Sequence, residues 1–88
     1  MKEMMLAVGV ENYTIRYFRT EGNMEQEGEN KRVFGVASTK YIDDTEKESA
    51  DTGFISEDMA YVDELIATLG RHTVTPVVLC EIVDDMLA

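Results

Sequence analysis

Residues 56–88 read SEDMAYVDELIATLGRHTVTPVVLCEIVDDMLA, and this stretch carries the strongest pattern in the chain, two capped amphipathic helices joined by a short turn. Ser56 is placed to act as an N-cap, its hydroxyl accepting from an orphan amide of the first turn. Glu57 and Asp58 then put negative charge at the positive end of the helix dipole. Met59, Val62, Leu65, Ile66 and Leu69 recur at three- and four-residue steps and make one apolar stripe, with Glu57, Asp63, Glu64 and Thr68 largely off it. Gly70 suits the left-handed position after a helix end, and Arg71 and His72 follow where positive charge favours the negative end of the dipole. Val74-Thr75-Pro76 announces the second helix, with Thr75 as N-cap, Pro76 at the first helical position and Val74 stapled onto Leu79. Leu79, Ile82, Val83 and Met86 make its stripe, Val78, Cys80 and Leu87 flank it, and Glu81, Asp84 and Asp85 face water or a partner. So short a connection predicts close contact between the two helices.

The run from Val74-Thr75-Pro76 through Val77-Val78-Leu79 to Ile82-Val83 and Asp85, preceded by Val62, Leu65, Ile66 and Leu69, resembles the C-terminal signature of a family of short, uncharacterised clostridial proteins. The resemblance implies a strand-rich N-terminal half that ends in a helical pair. It implies no activity.

At 88 residues the chain has the size of one domain, 1–88, expected to be strand-rich over 1–55 and helical over 56–88. Its 44% apolar content suits a folded domain, and six methionines without a tryptophan suit adaptable packing. The formal net charge of −10 is unevenly placed: residues 1–42 hold six charges of each sign, whereas residues 43–88 hold twelve acidic and two basic ones. Such a distribution disfavours direct nucleic-acid binding, because no basic stripe is available to release counterions, and it attracts a basic protein partner. The single cysteine cannot form an internal disulfide and no positively charged segment leads into an apolar core, so a cytoplasmic location is expected. The longest apolar run is far short of a membrane span.

In the first half, Met4, Leu6, Val8 and Val10 alternate with Met5, Ala7 and Gly9, the period of a strand. Glu11-Asn12 is the reversal, and Tyr13, Ile15 and Tyr17 alternating with Thr14, Arg16 and Phe18 make a second strand. Residues 21–30, EGNMEQEGEN, read as a mobile polar hairpin loop. Residues 33–42 resume strand chemistry, with Gly35 marking a bulge or a close backbone approach, and Asp43-Asp44-Thr45 turns the chain again. Residues 46–55 fit a charged edge strand or, alternatively, an irregular connection. The expected fold is therefore α+β, an antiparallel β-meander of three or four strands covered on one face by two C-terminal α-helices. Because aromatic residues fall on both strand parities, some aromatic surface is expected on the uncovered face.

No catalytic constellation emerges. His72 and Cys80 stand on adjoining elements, but Leu79, Glu81 and Ile82 around the thiol offer no electropositive setting, so Cys80 is expected to pack half-buried rather than react. Asp43, Asp44, Glu46, Glu48 and Asp51 fail the calcium-loop pattern, since Thr45 and Lys47 fall where its third and fifth ligands belong and Glu48 where its glycine belongs. Arg16 and Arg19, three apart on a strand, point to opposite faces and make no anion clamp. Asp84 and Asp85 sit in the last turn of a helix, where negative charge opposes the dipole, and with Glu81 they form the partner-binding candidate. The expected function is a small non-enzymatic protein–protein interaction or regulatory module without cofactor or metal, its acidic second half docking on a basic partner, with homodimerisation in view. A small-molecule-binding or catalytic pocket between sheet and helices, and a structural homo-oligomerisation element, are the alternatives.

Overall fold

A computed structural model describes residues 1–87. Four strands, β1 (Lys2–Val10), β2 (Tyr13–Gln26), β3 (Glu29–Ile42) and β4 (Thr45–Ser56), are followed by α1 (Met59–Arg71) and α2 (Pro76–Leu87). The strands form one antiparallel sheet in the order β1-β2-β3-β4, each paired with its neighbours in sequence. The stretch over 46–55 is thus an edge strand.

Two-residue turns join the strands, and their backbones explain where they fall. Glu27 and Gly28 both have positive φ, 54° and 81°, as do Asp43 and Asp44, at 51° and 63°. Positive φ at both central residues matches the right-handed twist of the flanking strands. Residues 21–30 are consequently not a loop. The β2–β3 ladder runs through them to Gln26↔Glu29, and Arg32 clasps Glu21 across it at 2.8 Å. That arm is exposed from Asn23 to Asn30, so it needs no apolar period, and a hydrophobicity pattern cannot see it. It accounts for the elongated outline of 48 × 25 × 19 Å.

One face of the sheet carries Ile15, Tyr17, Phe34 and Val36, all buried, with Leu6, Val8, Ala50 and Ile55 at their margins. Val62, Leu65, Ile66 and Leu69 of α1, Val74, and Leu79 and Val83 of α2 close over them. The opposite face has no second layer and shields its aromatics with cations: Lys2 Nζ lies 4.6 Å from the Phe18 ring centre and Arg16 lies 4.4 Å from that of Tyr41. Phe54 alone among the aromatics on this face stays broadly exposed, at 48%. Its ring lies over Gly22, where a Cβ would collide with it. Gly35 marks a close approach, as its lack of a side chain requires: β4 bulges there, and a Cβ would strike the Gly53 carbonyl.

Both ends of α1 depart from the sequence expectation. Ser56 remains in β4, paired with Phe34, so the N-cap passes to Asp58, whose carboxylate accepts the Tyr61 amide at 3.2 Å. Ser56 instead accepts the Asp58 amide through its hydroxyl at 2.9 Å. At the other end, Gly70 stays helical and buried because Leu6 of β1 occupies the space a Cβ would need. The left-handed position falls to Thr73, with φ 50°. The Thr73 amide donates to the Gly70 carbonyl and the Val74 amide to the Leu69 carbonyl, both at 3.1 Å, the paired bonds of a Schellman motif. Met59 is 41% exposed and drops out of the buried stripe. Pro76 opens α2 as expected, and Val74 and Leu79 are both buried in the core, while Thr75 contributes its carbonyl, which accepts the Val78 amide at 3.2 Å.

Two substitutions test these backbone assignments. Gly35→Ala forces β3 from β4 and is expected to destabilise by roughly 1 to 3 kcal/mol. Thr73→Gly relieves a β-branched residue held at positive φ and should stabilise by about 1 kcal/mol. Urea midpoints at an unchanged denaturant slope measure both effects.

Candidate functional site: a groove between the helices

The two helices lie on the same sheet face with their backbones apart. α1 packs over β1, β2 and β3, whereas α2 packs chiefly over β4, and no Cα of one helix lies within 8 Å of a Cα of the other. The close contact expected from the short connection is thus not made by the backbones, although buried side chains of both helices join one core. Each helix follows its own apolar stripe onto the sheet, and the Thr73–Thr75 link turns without drawing them together.

Between them runs an open groove. Its larger part, about 500 Å³, is lined by Thr68 and Leu69 of α1, by His72–Thr75 of the link, and by Val78, Ile82 and Met86 of α2. A second hollow of about 360 Å³ continues it past Met86 and Thr68 to Tyr61, Glu64, Leu65 and Arg71. Apolar surface is left bare here: Val78 is 37% exposed, Tyr61 37% and Met86 41%. Arg71 turns back onto its own helix, donating to the Thr68 hydroxyl at 3.1 Å.

The link that closes one end of the groove is fastened from below. Tyr17, wholly buried, donates its hydroxyl to the Val74 carbonyl at 2.7 Å and lies 3.4 Å from the Leu69 carbonyl. Burial pushes its phenol up to about 12, and the nearby Tyr13 adds to the shift. A second clasp holds α1 to the sheet. Arg19, its side chain 12% exposed, donates from Nη1 to both Asp63 oxygens at 2.7 and 2.8 Å and from Nη2 to Glu3 of β1 at 2.8 Å. Arg16 lies on the other face, so the two arginines are separated as their spacing requires.

Glu81, Asp84 and Asp85 are all exposed on α2. At 3.6 residues per turn, Asp85 and then Glu81 come next round the helix from Ile82 and Met86, while Asp84 falls roughly on the far side. Glu64 takes the corresponding place on α1. Glu64 and Arg71 thus line the second hollow together, and His72 stands beside the link. His72 lines the groove, whereas Cys80 turns to β4, its Sγ 3.5 Å from the Asp51 carbonyl, so no dyad is assembled. Cys80 is exposed rather than half-buried. Among the described residues no three His, Cys, Asp or Glu side chains are placed to share a metal ion, and no helix is long and apolar enough to cross a membrane.

Sequence reasoning missed both the groove and the Arg19–Asp63 clasp. A signal for the first was present: Val77, Val78, Leu79, Ile82, Val83, Met86 and Leu87 spread apolar surface round α2 more widely than one stripe against a sheet requires. The clasp joins residues 44 apart and leaves no mark in local periodicity. A family model described as a family of unknown function (DUF6514) matches residues 2–88. No curated protein and no solved structure matches the chain.

Tyr17→Phe leaves the buried Val74 carbonyl without that donor and is expected to destabilise by about 1 to 3 kcal/mol at neutral pH. The phenol titrates near 10 when unfolded and near 12 when folded. Its contribution is therefore complete below pH 10 and is lost as pH rises through 12, because only the unfolded state releases the proton in that window. The difference in melting temperature between wild type and Tyr17→Phe, followed by circular dichroism from pH 8 to 12, should shrink accordingly.

Proposed function

We propose that this chain, which belongs to the family of unknown function just described, is a non-enzymatic protein-interaction module whose acidic helical layer docks a basic partner protein. The observation that carries this reading is the exposed apolar groove between α1 and α2, lined by Glu64, with the exposed Asp85 and Glu81 following on α2 by helical spacing. Surface of this kind is expensive to leave in water, and rimmed by polar groups it has the character of a recognition site. The acidic surplus in residues 43–88 adds long-range attraction for a partner of opposite charge. We place this activity in the cytoplasm and the family among clostridial proteins.

A second reading is favoured by the groove's volume. About 500 Å³ falls within the range of small-molecule sites, and Thr68, His72 and Thr75 supply polar groups at its margin. Its openness along two helices fits a macromolecule better.

Affinity capture on the immobilised full chain, with a parallel column carrying Glu81→Gln, Asp84→Asn and Asp85→Asn together, tests the docking reading. Basic proteins should be retained at low salt, should elute between about 50 and 200 mM salt as screening sets in, and should be retained poorly by the triple variant. Retention indifferent to salt, or equal on both columns, overturns it.

A further inference from the structure

We infer that the occupant of the groove is a single basic amphipathic α-helix lying lengthwise along it, against both α1 and α2. This rests on the reading of the helical layer as a docking surface and adds to it the secondary structure, orientation and side-chain pattern of the partner.

The shape of the groove argues for a helix. Its two hollows share Thr68 and Met86, so it runs along the helices rather than down into the sheet. The α1 wall repeats through Tyr61, Leu65 and Thr68 to His72, and the α2 wall through Val78, Ile82 and Met86. At 1.5 Å per residue these walls are about 16 and 12 Å long, roughly three turns of a partner helix. The backbones of α1 and α2 stay more than 8 Å apart, so the apolar residues between them are open to a helix laid over both. An extended peptide is a poor fit. Strand addition needs a row of free backbone amides and carbonyls, and both walls are helices whose backbone groups are already bonded internally. A helix brings its own backbone satisfied and offers apolar residues at i, i+3 or i+4, and i+7, the repeat of the walls themselves.

Charge sets its composition. Glu64 lines the groove, and Asp85 and Glu81 come next to it on α2 by helical spacing, both exposed. Arg71 lines the same hollow as Tyr61, Glu64 and Met86, with its guanidinium turned back to the Thr68 hydroxyl. A partner helix with lysine or arginine flanking its apolar stripe complements the acidic surplus of the helical layer.

The test uses the full chain and fluorescence anisotropy with three labelled probe peptides of about 14 residues. One carries leucines on a single helical stripe with lysines on its flanks, the second scrambles the same residues so that the stripe is lost, and the third keeps the stripe but replaces lysine by glutamate. The first should bind at least about tenfold more tightly than either control. Met86→Glu, at a position 41% exposed and so tolerant of the change, should weaken it by about tenfold or more, and Val77→Glu, 74% exposed and outside the groove, should leave it unchanged. Circular dichroism confirms that both variants fold. Equal binding of the first two peptides overturns the helix inference while leaving acidic docking intact. Failure of all three, equal binding of the glutamate peptide, or insensitivity to Met86→Glu also overturns the inference. So does a dimer in sedimentation that Met86→Glu dissociates, since a second copy would then fill the groove.

Discussion

The hydroxyl of Tyr17 holds this structure in register. It rises from the middle of β2, where its ring is wholly buried, and meets the Val74 carbonyl at 2.7 Å in the link between the helices. One side chain therefore ties the link between α1 and α2 down to the middle of the sheet. The bond lies in a setting that water does not reach, so its partner cannot be exchanged for solvent without leaving a buried polar group unpaired. The same isolation keeps the phenol protonated well beyond its ordinary range. Thr73 tolerates its unfavourable backbone because the bonds on either side of it, from the Schellman pair and from Tyr17, leave the chain no alternative path.

With the link pinned, each helix is held chiefly by the strands beneath it. Arg19 draws α1 toward β1 through Asp63 and Glu3, while Leu79 and Val83 seat α2 over the far side. The separation follows from those anchors, and the groove is its consequence. Cations are spent on the sheet in this chain: Lys2 and Arg16 cover aromatic rings, and Arg32 and Lys31 pair with Glu21 and Glu57. Among the described residues of the helical layer Arg71 is the one lysine or arginine, and Arg19 and Lys31 of the sheet pair with its Asp63 and with Glu57.

Much of the fold was legible in the sequence because the relevant signals were local. Pro76 after Thr75, the Leu65-Ile66-Leu69 stripe, the alternation through Tyr13–Phe18 and the Asp43-Asp44 turn each state their conformation within a few residues. What escaped was set by contacts distant in sequence or by the absence of any apolar requirement. Gly70 has the chemistry of a helix stop, yet Leu6 some sixty residues earlier makes it a packing position. Ser56 and Asp58 are both capping residues, and the choice went to Asp58 because β4 had already claimed Ser56. The β2–β3 arm was invisible since both of its faces are wet. Of the candidate site, the acids were legible as charges on an exposed helical face. The hollow beside them was not, because spacing within one helix says nothing about its distance from the next.

The meander also dictates an order of events during synthesis. Every strand pairs with a neighbour in sequence, and hairpins of this kind close in about 1 to 10 μs, so the sheet can assemble as soon as its residues are available. The helices are translated afterwards. Until α1 and α2 fold down, a chain that has formed this sheet carries Ile15, Tyr17, Phe34 and Val36 uncovered, a greasy plane that its own helices are built to shelter.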